Sequence, residues 1–469
     1  MKRARNFILL ILCTLLALTA CQASQTPDPE PAEPAPEITE PEAPEPETEK
    51  EPENPAPDPS LSQRELDMIE DLEFLRETYK EKHAEPFLLC SEDEFDFKLD
   101  QVKAKVSELS DEDFFYELQA VLAGMGDIHT KIYASDELSA KINDRRLPIY
   151  VRCIGDGVYL GCYLEGYAQF APYLLREIVA VNGIDVTYLQ KKAESISNPF
   201  NHWESIAAYD QAFTDPSFLD WAGCGYQEGY TFQILNDNQE VESIEVPVIT
   251  GAEYDKSTWV YPENWDGVFF NKHDDWSEYL EGENGGCVYL HYSNLHTIPG
   301  IVKSFETAGD LIKEHPECTK LVIDMRDHPG GTEDRLRQVR ESAKNLVSPT
   351  IKQTYVVTGG YTASAAIVSL GIFQNMMDNI VLIGEPAGQF DPFLWGVDNT
   401  CYYVLPNSQH HGMMSRGWYD AETDVEKYYD EDGKLYPWES CILPDVYIHQ
   451  DIEDVRQGKD SVIEWVLAQ

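Results

Sequence analysis

Positive charge is scarce in this chain: 35 lysines and arginines stand against 84 aspartates and glutamates, a formal net charge of −49. So acidic a surface repels phosphate backbones and anionic lipid headgroups, which argues against nucleic acid as a partner. The ten cysteines form no CxxC pair and no Cys/His spacing suited to zinc, so no metal site is expected. Apolar runs long enough to span a bilayer are missing throughout. What is present is a globular composition, with 42% hydrophobic and 11% aromatic residues, enough for sizeable cores.

The amino terminus stands apart from the rest. Lys2, Arg3 and Arg5 precede a short apolar run over 7–18, the pattern of a secretory signal. The run ends in Leu18-Thr19-Ala20-Cys21, which resembles a bacterial lipobox. That resemblance implies cleavage before Cys21 and acylation of its sulfur; the plainer alternative is an ordinary signal peptide. Residues 22–60 are dominated by Pro, Glu, Ala and Asp, with Lys50 as the only cation. Such a segment has little to bury and repels itself, so it reads as an extended stalk. The expected organisation starts with a signal peptide (1–20) and a lipidated, acidic, Pro-rich disordered stalk (21–60). The expected location is the bacterial cell envelope, on the extracytoplasmic side of a membrane.

Beyond the stalk, residues 61–140 read as a helical module. Ser91 with Glu94 is a capping-box signature, followed by Phe95, Leu99, Val102, Val106 and Leu109 at helical spacing. Ser110 and Asp113 open a second stripe of Phe114, Leu118, Val121, Leu122 and Met125, which stops at Gly124-Met125-Gly126. Residues 141–255 turn to short strands, with an Asn182-Gly183 turn between two apolar runs. Residues 275–469 alternate strand, helix and strand. The apolar run 321–325 reads as a buried strand, and the pattern implies an α/β layer with crossover helices. The fold class expected is therefore a multidomain α/β chain.

Two turns in that layer carry chemistry. Arg326-Asp327-His328-Pro329-Gly330-Gly331 follows a buried strand, and its glycines let backbone amides approach a ligand or simply make a tight turn. Gly359-Gly360-Tyr361-Thr362-Ala363-Ser364-Ala365-Ala366 puts a serine in the first turn of a helix, where free amides and the helix dipole favour negative charge. A serine there either caps the helix or acts as a nucleophile whose oxyanion meets waiting N–H donors.

The order of 321–331, 362–366, Gly384-Glu385-Pro386, Leu405-Pro406-Asn407-Ser408, Pro444-Asp445 and Gly458-Lys459-Asp460 resembles the tail-specific, or C-terminal-processing, serine proteases. The resemblance spans roughly 286–467, and more weakly 61–249. It implies a ClpP/crotonase-like catalytic core at 275–469, a PDZ-like domain at 141–255 that grips substrate tails, and no cofactor. Ser364 matches the nucleophile of the "T-A-S-A" pattern, and the N–H groups of Gly330 and Ala365 match the oxyanion hole. Where the processing proteases carry a lysine base this chain has Gln389, which cannot accept a proton at neutral pH. Asp127-Ile128-His129-Thr130 is instead similar to the "D-x-H-T" of the related tricorn-core-like branch. That likeness implies His129 as base with a glutamate behind it, Glu439 or in reserve Glu422. The turn departs from the family in having Asp327 and His328 where Gly and Asn are common. The expected function is a lipid-anchored serine peptidase acting on peptides or proteins. The rival expectations are a non-catalytic lipoprotein carrying peptide or apolar ligands, and a surface scaffold.

Overall fold

Three serines start the helical module. Ser62, Ser91 and Ser110 each accept the N–H of the residue three ahead, and the acid at that position reaches back to the serine N–H. They cap the helices Gln63–Lys82, Glu92–Lys103 and Asp111–Ala123. The predicted stripes are buried: Phe95, Leu99 and Val102 meet Phe114, Leu118 and Val121 over Leu72, Leu75 and Tyr79. Each such side chain contributes about 1.5–3 kcal/mol by leaving water. The computed structural model describes residues 61–469 apart from Leu88, Phe200, Gln227, 265–274, Glu283, 294–297, 332–334, 390–392, 396–400 and 420–441.

The same apolar cluster takes in Tyr403, Leu405 and Met414 from far along the chain. The strands Tyr402–Val404 and His411–Met413 pair antiparallel, and Lys131–Tyr133 joins the second of them. Buried Asp71 fixes the return by accepting the N–H groups of Asn407 and Ser408 at 2.9 and 2.8 Å. Residues expected to belong wholly to the carboxy-terminal core thus complete the amino-terminal module. Such a pairing joins distant segments and leaves no periodic trace in either.

Between these regions lies a four-stranded antiparallel sheet in the order Ile184–Asp185, Ile178–Val181, Gly229–Leu235, Val241–Pro247. Its first hairpin turns at Asn182 and Gly183, both with positive φ (50° and 79°), as an Asn-Gly turn requires. A stretch read from sequence as short strands also contains two helices, Val186–Ile196 and His202–Ala212. Asp185 caps the first through Thr187 N–H, and Asn201 caps the second through Trp203 and Glu204 N–H. Leu189 and Ala193 are fully buried in the first helix, so packing overrides its Val, Thr, Tyr and Ile content.

The carboxy-terminal core is a six-stranded sheet, ordered Val446–Tyr447, Ile380–Gly384, Gln353–Thr358, Lys320–Asp324, Cys287–His291, Trp276–Leu280. All pairs are parallel except the last, which is antiparallel. The crossover helices Ile298–Glu314, Leu336–Ala343 and Ala365–Met376 bury one face, as the alternation predicts. Pro57–Gln469 forms one compact unit. Among the described residues Cys90, Cys153, Cys162, Cys224, Cys287 and Cys318 are free, and no helix is long and apolar enough to cross a membrane.

Candidate active site

Ser364 stands where the strand Gln353–Thr358 hands over to the helix Ala365–Met376. The intervening loop is tied to the 326–331 turn. Thr362 Oγ1 donates to the Met325 carbonyl at 2.8 Å and accepts Gly359 N–H at 3.0 Å, and Ala363 N–H donates to the His328 carbonyl at 3.2 Å. Held this way, Ser364 adopts φ 56° and ψ −126°. A serine seldom takes this conformation, and such backbone strain concentrates at functional sites. Its side chain makes no cap bond to the helix. Instead Oγ lies 3.0 Å from His129 Nε2.

His129 arrives on the loop after the helix Asp111–Ala123. Asp127 Oδ1 accepts the His129 backbone N–H at 3.0 Å, a side-chain-closed turn. His129 Nδ1 lies 2.6 Å from the Leu394 carbonyl, which can only accept, so Nδ1 carries the proton. The lone pair of Nε2 therefore faces the Ser364 hydroxyl. Phe393 stacks on the imidazole, with centroids 5.8 Å apart at 27°. Burial lowers the His129 pKa below the ordinary histidine value, outweighing the opposite pull of Asp127. The ring is thus neutral at neutral pH.

Glu439 and Glu422, the acids expected behind this histidine, lie outside the described residues. The carboxylate near the ring is Asp127, whose Oδ1 is 3.9 Å from Nδ1. Its Oδ2 accepts Thr130 Oγ1 at 2.6 Å, and His83 Nε2 lies 2.8 Å from that hydroxyl and 3.4 Å from Oδ2. His83 Nδ1 accepts Glu85 N–H at 3.1 Å, so the Nε2 side of the ring is the donor. Burial pushes the Asp127 carboxyl up, but the hydrogen bond from His83 and the fields of both histidines outweigh it and hold it below the usual range. His83 was missed in the sequence because nothing local marks it. Asp127 was legible only as part of the motif.

Gln389 is buried, and its Oε1 accepts the backbone N–H of Ser364. The residue in the lysine position thus pins the strained Ser364 backbone. Gln389→Leu leaves that amide unsatisfied, with an expected loss of about 1–3 kcal/mol in equilibrium urea unfolding; unchanged stability would refute this role.

Gly330, matched to the oxyanion hole by the resemblance, has its amide engaged within the turn: its N–H donates to His328 Nδ1 at 3.0 Å. The bond explains how histidine replaces the asparagine common here: ring nitrogen stands in for an amide oxygen accepting from two residues ahead. Ala365 N–H, at the helix start, has no acceptor among the described residues. Gly330 itself is obligatory, because its φ is 99° and an added Cβ would lie 2.7 Å from Ser364 Cβ. Gly330→Ala should abolish any reaction at Ser364, as read by covalent labelling.

Of the other histidines, His291 and His410 are buried, and His410 Nδ1 accepts the Ser135 N–H. His296 lies outside the described residues. No group of His, Cys, Asp and Glu able to hold a metal occurs among the described residues.

No protein-family profile and no curated protein matches the chain. Among solved structures, mature CPAF complexed with lactacystin is 11% identical with a TM-score of 0.58, over 87% of this chain and 98% of that one. A serine-to-alanine mutant of CPAF is 12% identical at 0.58, over 87% and 96%. The photosystem II D1 C-terminal processing protease aligns over 86% and 99% at 11% identity, with a TM-score of 0.35. The resemblance read in the sequence therefore holds at the level of the fold: the chain is a mixed α/β protein with the arrangement of CPAF.

Proposed function

We propose that this chain is an exported, lipid-anchored serine peptidase of the C-terminal-processing type, with Ser364 as nucleophile and His129 as general base. One observation carries the reading: a strained serine at a helix start whose Oγ lies 3.0 Å from the unprotonated nitrogen of a neutral, half-buried imidazole. Attack of Oγ on a peptide carbonyl transfers the hydroxyl proton to His129 Nε2 and places negative charge on the carbonyl oxygen. Ala365 N–H receives that charge, and Gly330 N–H joins it by turning from the His328 ring. The imidazolium returns its proton to the leaving amine. Water, deprotonated by the same ring, then releases the acyl group and restores Ser364.

Asp127 supports the imidazolium through its charge, and the Leu394 carbonyl holds the ring. The four-stranded sheet around the Asn-Gly hairpin serves as a PDZ-like grip on substrate tails. Cys21 carries the lipid, and the acidic stalk lifts the enzyme from the membrane surface.

The test is covalent labelling of the full chain with an alkyl fluorophosphonate, followed by peptide mapping. A single adduct on Ser364, lost in both Ser364→Ala and His129→Ala, is the expected result. No adduct on the folded wild-type protein would remove the hydrolase reading and leave a binding protein. Globomycin treatment of producing cells, with intact mass of the exported protein, tests the anchor; a mature protein starting elsewhere than Cys21 would refute it.

A further inference from the structure

Beside Ser364 lies an open cavity of about 420 Å³. Its wall includes Ile128, Pro329 and Ala363. These are the chain neighbours of His129, Gly330 and Ser364, so the cavity adjoins the point where a scissile carbonyl would lie. A second recess near the site, between Gly126 and Leu394, has only about 10 Å³, less than or about the space of one water. A substrate side chain next to the carbonyl fits the first and not the second.

The cavity wall is apolar along part of its depth, with Leu122, Ile196 and Ala208, and among its polar residues are two enclosed acceptors. Glu204 Oε2 and Gln119 Oε1 are both enclosed, and neither has a hydrogen-bond donor. Buried acceptors without donors are rare in native proteins, and two in one cavity call for an occupant that brings N–H groups. A long apolar stem with a donor-rich tip describes lysine and arginine. Among the described residues no cation lies within ion-pair distance of Glu204. The exposed Lys131, also on the wall, acts on it only through its field. Burial pushes the Glu204 carboxyl up to about 7, against the opposing effects of Lys131 and a hydrogen bond from Asn198. An unpaired carboxyl so placed gains from an incoming cation.

We propose that this cavity receives the substrate side chain adjoining the scissile carbonyl, and that Glu204 selects lysine or arginine there. The proposal rests on the reading of Ser364 as a peptidase nucleophile.

Peptidyl diphenyl phosphonates test it on the full chain. They react with an active-site serine by losing phenol and carry a chosen side chain at the adjoining position. Lysine and arginine probes should label Ser364 at least tenfold faster than leucine or glutamate probes, as followed by intact mass. Glu204→Gln should remove most of that advantage while leaving the leucine probe and a side-chain-free alkyl fluorophosphonate at wild-type rates, the latter showing an intact site. Gln119→Leu should reduce the advantage by a smaller factor. Faster labelling by leucine or glutamate, or a basic preference untouched in Glu204→Gln, would overturn the proposal with the peptidase reading standing. Failure of the plain fluorophosphonate to label Ser364 would overturn both.

Discussion

Replacing His129 by alanine is expected to lower kcat/KM by about 10²–10⁴-fold, with the fold intact. Among the described residues no substitute base is evident: Gln389 is an amide already bonded to Ser364 N–H, and Asp127 is engaged by Thr130 and the His129 backbone. The pH profile gives a second readout. The base works only when neutral, so protonation at low pH removes activity. Burial moves that protonation below the ordinary histidine value, so the acid limb of kcat/KM should fall below about 6.5. Asp127 raises the His129 pKa through its charge. Asp127→Asn should therefore shift the acid limb further down while also lowering kcat, because the imidazolium loses its nearby anion. An acid limb that moves up, or stays fixed while kcat falls, would show that Asp127 acts on the fold and not on the ring. Peptide hydrolysis measured from pH 4.5 to 8 separates these outcomes.

How far the sequence disclosed this site depends on the range of each signal. Capping boxes at Ser91 and Ser110 and the stripes behind them are local, and they appear where expected. The parallel strands announced themselves as apolar runs such as 321–325 and 380–383 because both faces of that sheet are covered. The closeness of His129 and Ser364, 235 positions apart, was legible only through resemblance, since no periodicity encodes a contact of that separation. His83 and the Leu394 carbonyl stayed hidden for the same reason: one is a lone histidine, and the other contributes a backbone atom. The bond from the Gly330 amide to His328 stayed hidden because it closes within the turn and leaves no pattern in the sequence. The two helices at 186–212 were missed because their caps, Asp185 and Asn201, also read as turn residues.

The largest stability effect is expected at Arg326, the first residue of the 326–331 turn. Its guanidinium lies between two carboxylates that are almost wholly buried, donating to Asp324 Oδ2 at 2.7 Å and to Asp460 Oδ2 at 2.9 Å. Asp460 also accepts the N–H groups of Val462 and Ile463, capping the helix Ser461–Ala468 that packs on the sheet. One side chain thus fastens the catalytic turn to the last helix, which gives a physical reason for Gly458-Lys459-Asp460 at the end of the ordered motifs. Arg326→Met keeps most of the stem but strands two buried acids. A loss of about 3–5 kcal/mol is expected in denaturant unfolding, together with weaker labelling of Ser364. Asp460→Asn retains the helix cap and removes one charge, so it should cost less than Arg326→Met. The Asp324 part of the pH dependence has a definite sign, while burial raises the Asp460 carboxyl. Burial pushes Asp324 up, but Arg326 outweighs it and holds its carboxyl below the usual range. Its contribution is present above the unfolded-state carboxylate range and lost as pH falls through the lowered native value. Arg326→Met removes the cause of that depression and leaves burial to raise the carboxyl, so the stability deficit of the variant relative to wild type should shrink as pH falls. An unfolding midpoint unchanged in both denaturant and acid would mean that the turn is held by Thr362 and Ala363 alone.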